Sequence, residues 1–372
     1  MGGYAARTAG ATGVHDPLYA TVLLLDAGDT RLALVTADLR SFVSTRVGEL
    51  ARQRFGVTHT NLSMSHTHSG PLTWEARTPW YAEAEDKMVE AIGEAHRNLF
   101  PAEIAVAAGQ VHLGFNRRKV VDGKAEMWWR NAERLPSHPV DPALHVLRVR
   151  DGKGKTRAVL VNYACHPSIL GPDNLQYSAD YPGGLRRYVE AQTPGALCLF
   201  VQGAAGDINP YRDKDPEGFQ AVDEMGEALG RSVSGLLDRA RPVTGPLRIA
   251  AEIVEVKHRT QPASRIAIGL TAGVLGDRLC FLAVPGEMFV EHQITLREKA
   301  ECATTMLFGY SYSAGGDWAG YLPTIRAAVE GGYGAGYNST VEVGTGERLV
   351  DRGVVHLFKL RGLLKDLPDP RF

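Results

Sequence analysis

Short apolar runs alternate along the chain with segments whose apolar residues recur at every third or fourth position. The runs are typical of buried strands, and the longer spacing is typical of amphipathic helices. Strands are predicted over 20–25, 31–37, 60–64, 103–113, 143–150, 157–163, 197–202, 247–257, 265–269 and 279–284. Helices are predicted over 44–55, 80–98, 184–193 and 217–240. This alternation predicts an α/β fold with a mixed β-sheet core flanked by helices.

Several of the predicted strands end in loops that are rich in glycine, proline and polar residues. Ligand sites in α/β proteins cluster where strand ends meet such loops. The glycine-rich stretch 329–340 carries Tyr333 and Tyr337, and we therefore predict a mobile loop of the site rather than a linker. Because the chain has no internal repeat and no low-complexity linker, a single domain is predicted over residues 1–372.

The composition is that of an ordinary globular protein, with 44% hydrophobic and 22% charged residues in a chain of 372. A net charge of -1 and the lack of a basic stripe interleaved with aromatics predict no nucleic-acid partner and no membrane partner. No apolar run is long enough to predict a transmembrane helix. The first residues, MGGYAARTAGATG, lack the pattern of a signal peptide, so we expect a cytoplasmic protein.

The four cysteines are Cys165, Cys198, Cys280 and Cys302. None belongs to a C-x-x-C pair and all have largely apolar neighbours, so reduced core thiols are expected. The composition leaves the oligomeric state open, and a homo-oligomer is compatible with it.

Two predicted strands end at histidines. His66 and His68 lie in the motif SHTHSGP after the strand at 60–64, and His166 lies in NYACHP after the strand at 157–163. Residues two apart can point to the same side of an extended segment, which suits a metal site or a proton-transfer site. The alternatives are one ligand beside an ordinary loop histidine, and a purely structural role for His166.

Other polar residues follow strands in the same way. Glu287 in AVPGE is a candidate metal ligand or a simple helix cap, and Tyr321 and Tyr333 are candidate ligand or oxyanion groups or packed aromatics. Asp207 in QGAAGDINP could orient a histidine or merely cap its loop, beside Asn209. Histidine, glutamate and tyrosine on separate strand-end loops would form a nitrogen and oxygen site for Zn²⁺.

The ordered motifs GVHDPLYA, SHTHSGP, FNRR, NYACHP, QGAAGDINP, PGE, GYLPT and GGY resemble the catalytic domain of neutral ceramidases, from about Gly2 to Thr340. These are zinc amidases that release fatty acid from N-acylsphingosine, so the resemblance implies a zinc-dependent hydrolase of amide bonds. It implies zinc ligands at His66, His166, Glu287 and Tyr321. It also implies that His68 contacts the substrate amide, that Tyr333 lies at the oxyanion and that Arg117 lies near the substrate.

The sequence departs from the family pattern in two respects. Asn209 stands where the family has a serine that touches the substrate, and neither the C-terminal β-sandwich domain nor the secretion signal of the ceramidases is found in it. A smaller and more polar substrate than ceramide is therefore expected. Neighbouring Arg117 and Arg118 suit a carboxylate or phosphate, although either could instead face solvent or pair with Asp207 or Asp180.

Three hypotheses for the function follow. The first is a zinc amidohydrolase acting on a small N-acyl substrate, with Asn209, Asp207 and Arg118 as substrate-binding residues. The second is the same zinc site acting on an ester, lactone, peptide or sugar-linked bond. The third is an inactive relative that binds a ligand. Trp128 and Trp129 could line the substrate rim or form a packed pair.

Overall fold

The computed structural model describes residues 1–73, 78–215, 218–313, 315–336 and 338–364. Helices are α1 (Thr45–Phe55), α2 (Pro79–Arg97), α3 (Tyr181–Gln192), α4 (Phe219–Leu237), α5 (Val290–Ala300), α6 (Ile325–Glu330) and α7 (Thr345–Leu360). The first four helices confirm the predicted ones, with residue 217 lying outside the described ranges. None of the described helices is long and apolar enough to cross a membrane.

Three larger sheets contain most of the strands. The first has the order β12 (Leu197–Gln202), β10 (Thr156–Tyr163), β9 (Ala143–Asp151), β5 (Ala102–Gln110), β14 (Arg241–Pro242). The second has the order β15 (Leu247–Lys257), β16 (Arg265–Leu275), β17 (Leu279–Ala283), β19 (Thr304–Phe308). The third has the order β2 (Ala20–Ala27), β3 (Thr30–Ala37), β4 (His59–Met64), β20 (Ser311–Tyr312).

Short strand pairs complete the topology. They are β1 (Gly13–Val14) with β11 (Gln176–Tyr177), β13 (Ile208–Pro210) with β6 (Gly114–Asn116), β7 (Arg118–Val121) with β8 (Lys124–Met127), and β18 (Glu287–Met288) with β21 (Tyr321–Leu322). Parallel pairs (β10 with β12, β17 with β19, β3 with β4) occur beside antiparallel ones in each larger sheet. The α/β fold with mixed sheets is confirmed.

The three larger sheets share one apolar core and carry helices on their other faces. Side chains from β3, β9, β10, β12, β17 and β19 meet in that core, which includes Leu34, Leu160 and Phe281. Helices α1 and α2 cover the third sheet, α3 and α4 cover the first, and α5 and α7 cover the second. Strands β4, β10 and β17 come from different sheets, and the loops after them carry the candidate ligands. The packing of the sheets therefore decides whether those loops meet.

The cysteine prediction is wrong for one pair. Cys280 on β17 and Cys302 after α5 form a disulfide, with their Cα atoms 6.2 Å apart. That Cα separation is usual for disulfides, and only the packing of α5 against the second sheet brings the two residues together. Cys165 and Cys198 are free and buried, as predicted.

Candidate metal centre

His66 is held at the end of β4 in an uncommon backbone conformation. Its φ of 69° lies in the left-handed region, which residues other than glycine adopt uncommonly. The ring is buried, and its Nδ1–H donates to the carbonyl of Arg40 at 2.7 Å. A protonated Nδ1 leaves a lone pair on Nε2, and that atom has no hydrogen-bond partner. His66 is therefore prepared to bind a cation through Nε2.

His166 has the same arrangement after β10. Its Nδ1–H donates to the carbonyl of Ile208 at 3.2 Å, and its buried Nε2 has no partner. Burial lowers the pKa of His166 to about 4, so the imidazole is neutral at physiological pH. Neutral imidazole is the form that binds metal ions.

Glu287 completes the group from β18, which follows β17 of the second sheet in the chain. Its Oε2 lies 3.3 Å from Nε2 of His66 and 3.4 Å from Nε2 of His166, and this oxygen has no hydrogen-bond partner. Glu287 therefore presents a carboxyl oxygen toward the two imidazole nitrogens.

The separations of Glu287 Oε2 from the two histidine nitrogens fit a tetrahedral zinc site. Zinc bonds to nitrogen and oxygen of roughly 2.0–2.2 Å place neighbouring tetrahedral ligands about 3.3–3.6 Å apart. The observed 3.3 and 3.4 Å separations fall in that range. Buried polar atoms without partners are uncommon in proteins, and three of them converge here. The residues present fit a zinc ion.

His68 belongs to the same cluster. One ring nitrogen from each of His66, His68 and His166 lies within 4.8 Å of the others, and this buried group could hold a metal ion. That spacing is looser than the two separations to Glu287. Both ring nitrogens of His68 lack partners, and His68 also lines the neighbouring cavity, which the other two histidines do not.

Tyr321 reaches the site through the pairing of β18 with β21, which sets it opposite Glu287. Its hydroxyl accepts a hydrogen bond from Arg117 Nη2 at 3.2 Å. The residue is buried, and its ring packs edge-to-face against Tyr333 with centroids 5.4 Å apart. We call Nε2 of His66, Nε2 of His166 and Oε2 of Glu287 the metal-facing group. The structure thus brings Tyr321 beside this group, and its role as a ligand stays a prediction.

A cavity of about 630 Å³ opens beside the cluster. Among the predicted site residues, those that line it are His68, Arg117, Asn209, Tyr321 and Tyr333. Its volume suits a small organic molecule. Trp129, with half of its surface exposed, stands at the rim and packs edge-to-face on Tyr333. Trp128 instead lies under the ammonium group of Lys119, so the two tryptophans do not form a packed pair.

Arg117 is the buried cation of the cavity. Its guanidinium donates to Asn209 Oδ1 at 3.2 Å and to the carbonyl of Gly206 at 2.6 Å, and it lies over the ring of Tyr333. Its Nε atom is buried without a hydrogen-bond partner. Arg117 therefore fixes Asn209, the residue that stands in place of the family's serine.

Arg118 and Asp207 lie outside the cavity. Arg118 donates to the carbonyls of Gly331 and Ala327 and pairs with Glu330 at 3.3 Å. The carboxylate of Asp207 accepts from Asn116 Nδ2 and from the backbone N–H of Val290, both at 2.8 Å, and burial raises its pKa to about 6. These positions do not support the predicted substrate contacts or an arginine pair that grips an anion. Arg118 instead holds the segment before Tyr333, and Asp207 holds Asn116 and the first residue of α5.

Sequence reasoning missed one wall of the cavity. Gly3, Tyr4, Ala5 and Ala6 line it, although no motif points to them. The glycine-rich stretch does reach the site through Tyr333, while Tyr337 lies outside the described residues.

The fold and the site together define an α/β protein with a candidate metal centre at the meeting point of three sheets. Residues 1–213, more than half of the chain, match the family described as neutral/alkaline non-lysosomal ceramidase, N-terminal. The chain belongs to this family, which confirms the resemblance found in the motifs.

Individual relatives agree with that assignment. The neutral ceramidase of Mycobacterium tuberculosis is 25% identical over 252 residues, covering 57% of this chain and 38% of that protein. The crystal structure of neutral ceramidase from Pseudomonas aeruginosa matches with a TM-score of 0.76 at 16% identity, over 96% of this chain and 72% of that one. A structure described as ceramidase complexed with C2 matches with a TM-score of 0.78, also at 16% identity, over the same shares of the two chains. The structural matches show a shared fold, and the chain spans about two fifths of the Mycobacterium protein.

Proposed function

We propose that this protein is a zinc-dependent amidohydrolase acting on a small, polar N-acyl amide. The observation that carries the proposal is the convergence of three partnerless atoms, Nε2 of His66, Nε2 of His166 and Oε2 of Glu287, with Oε2 at the spacing of tetrahedral zinc ligands from each nitrogen. We assign Tyr321 as the fourth ligand because strand pairing sets it opposite Glu287. When bound, zinc supplies a water molecule that is ionised near neutral pH and polarises a carbonyl group.

The chain's own residues support amide cleavage around that centre. The imidazole of His68 offers one donor and one acceptor at the inner end of the cavity, and we assign it the proton transfer to the amide nitrogen as the C–N bond breaks. We assign Tyr333 and Arg117, which both line the cavity, as donors to the oxygen that becomes negatively charged. We assign Asn209, which also lines the cavity, as a substrate-binding residue.

The rim favours a polar but not strongly anionic substrate. Arg130 and Arg212 reach the cavity, but Arg130 pairs with Asp213 at 2.8 Å and Arg212 with Glu224 at 2.5 Å. The charges of Arg130 and Arg212 are therefore balanced, and Arg118 lies outside the cavity. The described lining residues thus provide no pair of unpaired cations that could bind an anionic group. Polar groups and an apolar segment of modest length suit this mixed lining.

Metal analysis tests the centre. Protein purified without added metal, and again after incubation with zinc and removal of the excess, is examined by elemental analysis. We expect about one zinc ion per chain, reduced strongly in Glu287→Gln. His145 is a buried histidine outside the group, and His145→Ala is the matched control that should keep zinc. A stoichiometry near zero after zinc is resupplied would rule the proposal out.

Turnover tests the reaction and the substrate size. The zinc-loaded protein is assayed on N-hexanoylethanolamine, a neutral polar amide, and on a long-chain ceramide in detergent, with release of the amine as the readout. We expect kcat/KM at least tenfold higher on the short amide, a difference of about 1.4 kcal/mol in transition-state binding. A tenfold preference for ceramide would refute the small polar substrate while keeping the amidohydrolase.

A further inference from the structure

Residues 2–7, which we call the N-terminal strap, run across the candidate site next to His68. The backbone N–H of Gly2 donates to the carbonyl of Gly70 at 3.0 Å. Gly3 has a φ of +115°, and a Cβ added there would lie only 2.7 Å from the Cα and carbonyl oxygen of His68. The strap therefore approaches the His68 loop as closely as backbone can, which only glycine permits.

Arg7 ties the strap to both histidine loops. Its guanidinium donates to the carbonyls of Gly2 at 2.6 Å, His68 at 2.7 Å, Gly171 at 3.0 Å and Pro172 at 3.1 Å. These acceptors belong to the strap, the loop after β4 and the loop after β10. A planar guanidinium has five N–H donors spread over three nitrogens in fixed directions, whereas a lysine ammonium has three donors on one nitrogen. One side chain thus sets the distance between three walls of the cavity.

Tyr4 is the strap residue whose side chain contacts His68. Its ring packs edge-to-face on His68 with centroids 4.8 Å apart, and its hydroxyl donates to the carbonyl of Ser168 at 3.1 Å. Neither ring nitrogen of His68 has a hydrogen-bond partner, so its orientation depends on the rings around it. Those rings are His66, His166 and Tyr4, and only Tyr4 lies on the cavity side.

We propose that the N-terminal strap is a specificity-determining wall in which Arg7 locks the strap to the histidine loops and Tyr4 both orients His68 and limits the room beside it. The proposal rests on the proposed function for the role of His68. The other lining residues indicate which part of a substrate Tyr4 limits. Ala5, Ala6, Ile169 and Pro172 line the same cavity as Tyr4, and this apolar lining suits an acyl chain. Tyr4 therefore limits the length of the acyl chain that the cavity accepts.

Two Tyr4 variants separate the ring from the hydroxyl. Zinc-loaded wild type, Tyr4→Phe and Tyr4→Ala are assayed on the ethanolamine amides of acetic, hexanoic and dodecanoic acids. Tyr4→Ala should raise the ratio of kcat/KM for the dodecanoyl over the acetyl amide at least tenfold, and it should lower kcat on the acetyl amide because His68 loses its packing. Tyr4→Phe keeps the ring and should change that ratio less than threefold. Tyr19→Ala, an exposed tyrosine outside the cavity, is the matched control.

A binding measurement tests the role of the N-terminal strap in selecting the acyl chain without relying on catalysis. Calorimetry of acetate, hexanoate and dodecanoate binding to the same proteins should show dodecanoate gaining at least tenfold in affinity relative to acetate in Tyr4→Ala. Zinc content and melting temperature are measured beside it. If no amide is cleaved by any protein, the proposed function fails. The wall proposal is then judged by the binding ratio alone, and absent binding or an unchanged ratio overturns it.

Arg7→Lys tests the lock. We expect kcat on the acetyl amide to fall about tenfold, with KM changing less than threefold and zinc content unchanged, because the histidine loops separate slightly while the metal-facing atoms stay in place. Arg31 also donates to a backbone carbonyl, that of Phe55 at 2.8 Å, and lies far from the site, so Arg31→Lys is the matched control. Equal losses in the two variants, or a loss of zinc in Arg7→Lys, would overturn the positioning role of Arg7.

Discussion

Two buried polar clusters in this molecule differ in how their hydrogen bonds are satisfied. The first is a network around Asp141, whose carboxylate accepts from Gln293 Nε2 at 2.6 Å, from Arg297 at 2.6 and 3.0 Å, and from the backbone N–H of Ala143 at 3.1 Å. Burial raises the pKa of Asp141, but Arg297 and Gln293 outweigh burial and lower it below its usual value. Every oxygen of this carboxylate has a partner inside the protein.

The metal-facing group is as deeply buried and is not satisfied. Nε2 of His66, Nε2 of His166 and Oε2 of Glu287 have no hydrogen-bond partner and face one another. Leaving buried polar atoms unmet costs about 1–3 kcal/mol each, so a fold seldom retains several in one place without a ligand. The comparison teaches that burial of polar residues does not identify a site, whereas convergent and unmet atoms do.

The largest expected effect breaks the metal-facing group. His66→Ala and His166→Ala should each lose zinc and turnover together, since each removes one of the converging atoms. Elemental analysis and an amide-hydrolysis assay on the same samples check this. His145→Ala, at a buried histidine near the Asp141 network, should keep both properties. Zinc retained at full stoichiometry in either His66→Ala or His166→Ala would break the distinction between the two clusters.

The next effect separates the cavity wall from the metal-facing group. His68→Ala and Tyr333→Phe should keep zinc and lose about 10²–10³ in kcat/KM, the usual cost of removing one group that acts on the transition state. The same elemental analysis is compared with steady-state kinetics. If His68→Ala loses zinc as completely as His66→Ala, the three histidines act together as ligands and our roles for the pair are wrong.

A third effect tests the satisfied cluster. Asp141→Asn should lower the free energy of unfolding at pH 7 by about 2 kcal/mol, because it weakens charge-assisted hydrogen bonds with Arg297 and Gln293, and it should leave zinc in place. The pKa of Asp141 is lowered in the folded protein, so its stabilisation is present above its unfolded pKa of about 3.9 and fades as pH falls further. The gap between wild type and variant in urea unfolding should therefore shrink below about pH 4. A gap that widens at low pH would contradict the assigned partners.

The smallest effect concerns Arg118, which holds the segment before Tyr333. Arg118→Lys should lower kcat/KM about threefold to tenfold with zinc retained, because a lysine cannot bind the carbonyls of Gly331 and Ala327 and also Glu330. In a Tyr333→Phe background the same change should have almost no further effect, since its action passes through Tyr333. Additive losses in the double variant would show that Arg118 acts by another route.

Much of the architecture could be predicted from local pattern. The predicted strands 60–64 and 157–163 agree with β4 and β10, and each ends at a loop bounded by proline or glycine. Helix α5 is not predicted, since it buries His292 and Gln293 among its apolar residues and so lacks an apolar face. The sequence did contain one signal that Arg117 and Arg118 point in different directions. Consecutive residues of an extended chain point to opposite sides, so Arg117 and Arg118 cannot both face one cavity.

The sequence by itself determined which residue types follow which strands, and therefore the order of the histidine, glutamate and tyrosine motifs. Strand ends and loops depend on short-range periodicity and backbone preference, which neighbouring residues carry. Only the tertiary structure decided that the loops after β4, β10 and β17 meet, that Arg118 and Asp207 face away from the cavity, that Cys280 joins Cys302, and that Tyr4 packs on His68. Those outcomes depend on how three sheets pack around a shared core, and contacts between segments far apart in the chain leave no mark in local spacing.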